Sequence, residues 1–360
     1  MKIAIDTQTV LGQRSGFGFY VKNLVEALKK NDLENQYILI APNRERDFST
    51  IERFIWDQFT FPAKVKKGKA DILHQPCFSS PVFFRGKKIV TVHDIIPLKF
   101  PGNLPLASRL FYSKWMTYSY NYADLIIADS ESTKKDIIKH LKISSEKIRV
   151  IYLATSKDFK PSGSQNQILK IKEKYKTSPK YFIHVGTIEP RKNLPFLVSA
   201  FALALKQGIK ENLVIVGKQG WYYEDLYNLI KKLHLEKRVI FTGYADDRDV
   251  PYLYGGSTAL TFPSLYEGFG FPPLEAMACG TPVISSNTSS LPEVIGEAGI
   301  LLPPKDKNIW AQKMVELSSN NKLSEKLKIA GIMQAKKFSW DETARKTIEV
   351  YEEVMKDKIN

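Results

Sequence analysis

The chain has 360 residues, 43% hydrophobic and 12% aromatic, which suits two domains with sizeable cores and excludes a disordered protein. Fifty-three Lys and Arg against 38 Asp and Glu give a net charge of +15, of which +10 falls in residues 1–160. With only Cys77 and Cys279, neither a disulfide framework nor a cysteine-rich metal site is expected. The opening MKIAIDTQTV lacks the basic and apolar regions of a signal peptide, and no apolar run approaches the roughly 20 residues of a membrane span. These features predict a cytoplasmic protein. The basic N-terminal half suits an anionic bilayer at the inner membrane face or a lipid-linked, phosphorylated acceptor. No nucleic-acid-reading module is recognisable, so nucleic acid is not an expected partner.

In chain order, strand Lys2–Asp6 leads through a glycine-containing loop, 11–19, with Gly16 and Gly18, into an amphipathic helix over 20–30. The glycines lie ten residues beyond the strand, and the next strand, 37–41, ends in Pro42-Asn43 rather than an acid for a ribose. A dinucleotide fingerprint is therefore disfavoured. Residues 48–61 read as irregular and aromatic, with Arg44, Arg46 and Arg53 close by. Such a stretch anchors at a membrane interface or, more commonly, packs as a helix on its own core. Strands follow at 71–74, 88–92, 125–128 and 149–153, alternating with helices over 106–120 and 132–141, the latter capped at Asp129-Ser130. This alternation predicts a doubly wound, mainly parallel sheet. His93 and His74 sit at the carboxyl ends of two strands, where ligands bind such sheets; His140 and His234 read as helix-surface residues.

A polar segment, 155–166, reads as the linker between domains spanning 1–160 and 161–340. The second domain opens with strand 181–185, then Arg191 and Lys192 at a strand-to-helix turn, and a helix over 194–206. Two cations there suit the charge developing on a diphosphate leaving group. Strand 212–216 is followed by Lys218 and Trp221, and strand 239–242 by Tyr244, in loops placed to frame a nucleobase. Asp247-Arg248-Asp249 spells a pattern linked to metal sites elsewhere, but here it is expected to cap the helix 250–254, and no metal is expected.

The most informative stretch is 261–286, TFPSLYEGFGFPPLEAMACGTPVISS. A strand at 259–262 breaks into a loop, a short helix begins at Pro273 and stops at Gly280, and a strand resumes at 282–285. Glu267 in the loop and Glu275 in the opening helical turn both face the carboxyl edge of the sheet. A carboxylate accepts two hydrogen bonds, which suits the diol of a ribose or a sugar. Gly268 and Gly270, with Phe269 and Phe271, let backbone N–H groups approach a ligand ahead of a helix N-terminus.

E-G-F-G-F-P-P-L-E-A-M-A-C-G-T-P-V-I resembles the nucleotide-sugar signature of the retaining group 1 glycosyltransferases, a GT4-like family of GT-B fold. The resemblance covers nearly the whole chain, strongest over 181–303, and its TVHDIIPL and GTIEPRKN segments are similar to the mannosyltransferase-like branch. It implies two Rossmann-like domains facing across a cleft, donor on the second and acceptor on the first, with the terminal helix 341–360 crossing back to the first. It implies hexosyl transfer, mannose or glucose type, from GDP- or UDP-hexose to a glycan or lipid-linked hydroxyl, without a metal, in polysaccharide or lipopolysaccharide synthesis.

By the same resemblance, Lys192 and Arg191 bind the diphosphate and Glu275 the ribose. Glu267, with the backbone of Gly268, Phe269, Gly270 and Phe271, orients the sugar. His93 contacts sugar or phosphate, Gly16 and Gly18 underlie the phosphates, and Lys218 and Tyr244 belong to the donor loops. His93, Lys192 and Glu267 are the catalytic candidates. The family commonly has its arginine directly after the strand glycine, where this chain has Thr187. The competing readings are a sugar-nucleotide epimerase, recognised by 2-epimer formation without acceptor, and a non-catalytic nucleotide-sugar-binding protein.

Overall fold

A computed structural model describes residues 1–10, 16–43, 46–100, 106–162, 164–220 and 224–356. Residues 11–15 of the expected glycine loop, Arg44, Gly163 and Trp221 lie outside the described residues. The chain divides into two compact units, Met1–Leu153 with Ser339–Asn360, and Ala154–Phe338. The expected linker lies at the start of the second unit, which therefore takes in residues 154–160 of the expected first domain.

The first unit holds a six-stranded parallel sheet ordered β2-β1-β3-β4-β5-β6. Its strands are β1 Lys2–Asp6, β2 Gln36–Ile40, β3 Ile72–Gln75, β4 Lys87–Val92, β5 Leu125–Ala128 and β6 Ile148–Val150. Between them run α1 Gly16–Asn31, a helix α2 over 50–67, a helix α3 over 106–122 and α4 Glu131–Leu141. The aromatic stretch 48–61 packs as a helix on its own core, the commoner of the two expectations, and supplies the start of α2 from Thr50. Ser49 and Glu52 close a capping box there, and Trp56, Phe61 and Val65 bury against Ala4 and Leu73. Both α2 and α3 contain a five-residue π-helical stretch, Trp56–Thr60 and Phe111–Trp115.

Strand order fixes which face each helix covers. The step β1→β2 runs opposite to β2→β3, β4→β5 and β5→β6, so right-handed crossovers put α1 on one face and α2, α3 and α4 on the other. Packing agrees: Met116, Tyr120 and Ile137 share one core with Val90, Val92 and Ile126. The C-terminal helix Trp340–Lys356 covers the α1 face, where Thr343 donates to Tyr152 O at 2.7 Å and Lys30 pairs with Asp341 at 2.8 Å.

The second unit holds another parallel six-stranded sheet, ordered β12-β11-β10-β7-β8-β9. It comprises β7 Tyr181–Val185, β8 Asn212–Val216, β9 Val239–Gly243, β10 Ala259–Phe262, β11 Val283–Ser286 and β12 Ile300–Leu302. The helices that matter for the site are α5 Leu194–Lys206, α6 Val250–Gly255 and α7 Phe271–Ala278. Runs such as LVIV are apolar throughout because helices cover both faces of a parallel sheet. The chain leaves β7 toward β8 but leaves β10 toward β11, in opposite directions, and β7 and β10 are neighbours. Such a switch point opens a crevice at the carboxyl ends of the two strands. No helix among the described residues is long and apolar enough to cross a membrane.

Candidate functional site

The switch point of the second unit brings together side chains 75 residues apart. After β7 the chain turns through a 3-10 segment, Pro190–Lys192, and after β10 it loops from 263 to 270 before α7. Ser264 Oγ donates to Glu267 Oε1 at 2.6 Å, Lys192 Nζ donates to the same oxygen at 2.6 Å, and Arg191 Nη1 lies 2.9 Å from it. Arg191 also pairs with Glu189 and donates to Tyr266 O. Burial alone would raise the Glu267 carboxyl, but the charges of Lys192 and Arg191 outweigh it and hold the group at about 2. Burial lowers the Lys192 ammonium, against the opposing pull of Glu267. The site is thus a desolvated cluster of two cations, Lys192 and Arg191, with two carboxylates, Glu267 and Glu189.

Serines that sequence reading passed over hold the loop in place. Ser289 Oγ accepts from Glu267 N at 2.8 Å, and Ser290 Oγ donates to Glu267 O at 3.0 Å and Phe269 O at 2.6 Å. Gly270 sits at φ +117° as the residue before α7, a conformation L side chains rarely adopt, and a Cβ there would meet Leu291 at 3.0 Å. Phe269 is buried between the rings of Phe271 and Phe338, so its side chain anchors the loop.

The helix begins at Phe271, two residues before the expected start, because Pro272 and Pro273 fit a first helical turn. Glu275 therefore lies in the second turn, not the first. There Tyr254 Oη donates to Glu275 Oε2 at 3.1 Å, and burial pushes this carboxyl up to about 7. The two glutamates of the signature are electrostatically unlike: one is held ionised by cations, and the other is poised near neutrality. Lys218 Nζ lies 5.1 Å from the centre of the Tyr244 ring, and Tyr244 Oη donates to Asp247 at 2.8 Å, which couples the loops after β8 and β9.

Asp249 occupies the N-cap position of α6 but does not cap it. Its carboxylate is taken by Lys174 and by Tyr175 Oη at 2.8 Å, which are stronger donors than a backbone N–H at that geometry. Sequence reasoning missed His184 altogether, although it lies one residue from the carboxyl end of β7, the position that singled out His93. It is buried, donates from Nδ1 to Thr261 O at 3.1 Å and stacks on Phe262.

The first unit carries the other candidates. His93, just past β4, donates from Nδ1 to Asp129 Oδ2 at 2.6 Å and from Nε2 to Pro76 O at 3.0 Å, with Cys77 Sγ 3.5 Å away. Both ring nitrogens thus meet oxygen acceptors, which is the pattern of an imidazolium. Burial opposes that charge, but the adjacent Asp129 raises the group well above the ordinary histidine range. Asp129, expected as a helix cap, is this partner; Ser130 alone caps α4, accepting from Thr133 N at 3.0 Å. His74 is fully buried between Tyr351 Oη at 2.7 Å and Thr91 Oγ1 at 2.9 Å, and burial depresses it to about 3. It ties the C-terminal helix to the sheet. His234 lies in a left-handed turn rather than on a helix, at φ +54°.

Gly16 and Gly18 were expected in a loop but form the first turn of α1, because Phe17 packs on His93 and Phe78 and Tyr20 buries beneath the sheet edge. The switch point of this unit, between β1 and β3, is filled by its own side chains. Asp6 Oδ2 accepts from Trp56 Nε1 at 3.0 Å and Gln75 Nε2 at 2.9 Å, and Asp57 accepts from Gln8, Gln75 and Ser79. Burial raises Asp6 to about 6; burial and the nearby Asp6 raise Asp57 to about 7. Among the described residues no group of three or more His, Cys, Asp or Glu is arranged to hold a metal.

Comparison with known proteins matches both units. Residues 165–334 match the family model "Glycosyl transferases group 1", and residues 14–158 match "Glycosyltransferase Family 4". The chain is 33% identical to the O-antigen chain mannosyltransferase B of Escherichia coli, over 78% of this chain and 74% of that protein. It is 33% identical to the serotype-specific mannosyltransferase WbdA of Escherichia coli over 73% of this chain, spanning about a third of WbdA. Among solved structures, the sucrose-phosphate synthase of Thermosynechococcus elongatus aligns with a TM-score of 0.76 at 21% identity, over 99% of this chain and 100% of that one. That likeness identifies the GT-B fold.

Proposed function

This chain belongs to the group 1 glycosyltransferases, and from that premise we propose that it moves a mannosyl residue from GDP-mannose to a hydroxyl of a growing glycan or lipid-linked acceptor, with retained anomeric configuration. The relatives it matches act in O-antigen synthesis, which supports cell-surface polysaccharide as the product class. They are transferases, so an epimerase or a non-catalytic binding protein is not favoured.

The observation that carries the reading is the cluster of Lys192 and Arg191 on Glu267, beside a switch point that is the expected seat of a ligand. A donor diphosphate offers those cations a further anion beside Glu267 and Glu189, and its departure is stabilised by charges already in place and desolvated. Glu267 then orients the sugar hydroxyls with its position fixed by Ser264 and Ser289. Glu275 accepts the ribose hydroxyls, with Tyr254 steadying the carboxylate. Lys218 and Tyr244 flank the base. No step is assigned to a metal.

Thermal stabilisation by GDP, UDP, ADP and GDP-mannose tests the donor site in the wild type and in Glu275→Ala. Stabilisation by GDP and GDP-mannose, lost in the variant, is the expected result. Equal stabilisation by any polyanion, unchanged in Glu275→Ala, would refute the donor site; a preference for UDP would overturn the choice of base.

A further inference from the structure

His184 carries one polar atom that the fold does not account for. The residue is fully buried at the penultimate position of β7, and its Nδ1 donates to Thr261 O at 3.1 Å, tying β7 to β10. A neutral imidazole has a single N–H, so Nε2 keeps its lone pair and can only accept. Burial lowers the group to about 4, with the nearby Lys192 acting in the same direction, so the ring is neutral at pH 7. Yet Nε2 is buried and has no hydrogen-bond partner among the described residues. Buried acceptors are almost always paired, because an unpaired one loses its bonds to water and gains nothing in return.

The Lys192 ammonium borders the same space. A Cβ on Gly186 would lie 3.6 Å from His184 Nε2 and 3.7 Å from Lys192 Nζ. Gly186, at φ +152°, carries no Cβ, so the two nitrogens face one small gap. Both groups also rest on the Phe262 ring. The imidazole stacks on it at 5.5 Å between centres and 13° between planes, and Lys192 Nζ lies 4.9 Å from its centre. An ammonium has three donors, of which Glu267 Oε1 takes one.

We propose that His184 Nε2 is a second seat for the Lys192 ammonium: when a donor diphosphate draws Lys192 off Glu267, one N–H turns to Nε2 and the others to phosphate oxygens. The two acceptors differ in kind. Glu267 neutralises the ammonium, whereas an uncharged imidazole orients it and leaves its charge for the leaving group. The same exchange removes one donor from Glu267 Oε1 and leaves room there for a sugar hydroxyl. His184 is therefore a positioning residue that acts through Lys192. The inference rests on the donor site proposed above.

Two substitutions separate this role from a structural one. His184→Asn keeps an N–H at the Nδ1 position for Thr261 O and removes the Nε2 acceptor. His184→Gln sets an amide oxygen near the Nε2 position and gives up the Thr261 bond. In steady-state transfer from GDP-mannose, His184→Asn is expected to lower kcat about 10- to 100-fold, and to lower it no further in a Lys192→Ala background. His184→Gln should recover most of that loss. The opposite order, or losses that add in the double variant, would show that His184 only ties the two strands, and would overturn the proposal. A second readout needs no turnover. With 15N-labelled histidine the chain carries five labelled rings, and His184→Asn identifies the signal of interest. On adding GDP or UDP, whichever stabilises the wild type, the His184 Nε2 signal should shift toward that of a hydrogen-bonded nitrogen, and should stay in place in Lys192→Ala. Thermal stabilisation without that shift would overturn this inference alone. No stabilisation by either nucleotide would overturn the donor site and this inference with it.

Discussion

The two sheets share parallel order and a topological switch point, yet they fill it in opposite ways. Between β7 and β10, the second unit sets two cations, Lys192 and Arg191, against two carboxylates, Glu267 and Glu189, so that charges of both signs line the strand ends. Between β1 and β3, the first unit places two carboxylates among Gln8, Gln75, Trp56 and Ser79, whose donors satisfy them internally. One crevice is lined by paired charges of both signs, and the other is plugged by its own amides. The lesson is that a switch point marks where a ligand can bind, whereas the charge balance of its side chains decides whether one is needed.

The largest effect that would break this comparison is expected from Lys192→Ala. If the cation stabilises a leaving diphosphate, kcat should fall about 100- to 1,000-fold, as for loss of one preorganised electrostatic group. Steady-state kinetics with GDP-mannose and a glycan acceptor would check this, and near-wild-type kcat would remove Lys192 from the mechanism.

A smaller effect sharpens the contrast from the other side. Asp57→Asn puts an amide N–H among donors that all require an acceptor, including Ser79 N at 3.2 Å. It should cost about 1–3 kcal/mol of stability in urea unfolding while leaving GDP affinity unchanged. Loss of GDP affinity without loss of stability would show that the plugged crevice is a ligand site after all.

The gentlest test varies pH. Glu275, raised to about 7 by burial, must be ionised to accept two ribose hydroxyls. GDP affinity should therefore fall about tenfold per pH unit below 7. Stability of the free protein runs the other way. A carboxyl whose folded pKa is raised contributes stability that is present below the unfolded value and lost as pH rises through about 7. Calorimetric titration with GDP between pH 5.5 and 8, on the order of the window set by that carboxyl, checks the sign, and a flat profile would exclude proton competition at Glu275.

Much of this molecule is legible in its sequence. The strands at Leu125–Ala128, Tyr181–Val185, Asn212–Val216 and Ala259–Phe262 emerge with their observed bounds, because a strand buried on both faces is a mainly apolar run. Lys192, Glu267 and Glu275 are equally readable, since they lie next to glycines, prolines and strand ends that have few alternative conformations. Local chemistry determined these features.

Tertiary structure decided the partners. Nothing near His93 in sequence announces Asp129, 36 residues away, which holds it as an imidazolium. Neither does anything near Glu275 announce Tyr254, or near Asp6 announce Asp57. The aromatic segment 48–61, readable as a core-packing helix, leaves unread which residues it meets, and its rings find Ala4 and Leu73 beneath them. Period and turn chemistry act over a few residues, so they specify elements. Charge state, burial and pairing depend on which strand ends become neighbours, and only the order of strands in each sheet determines that.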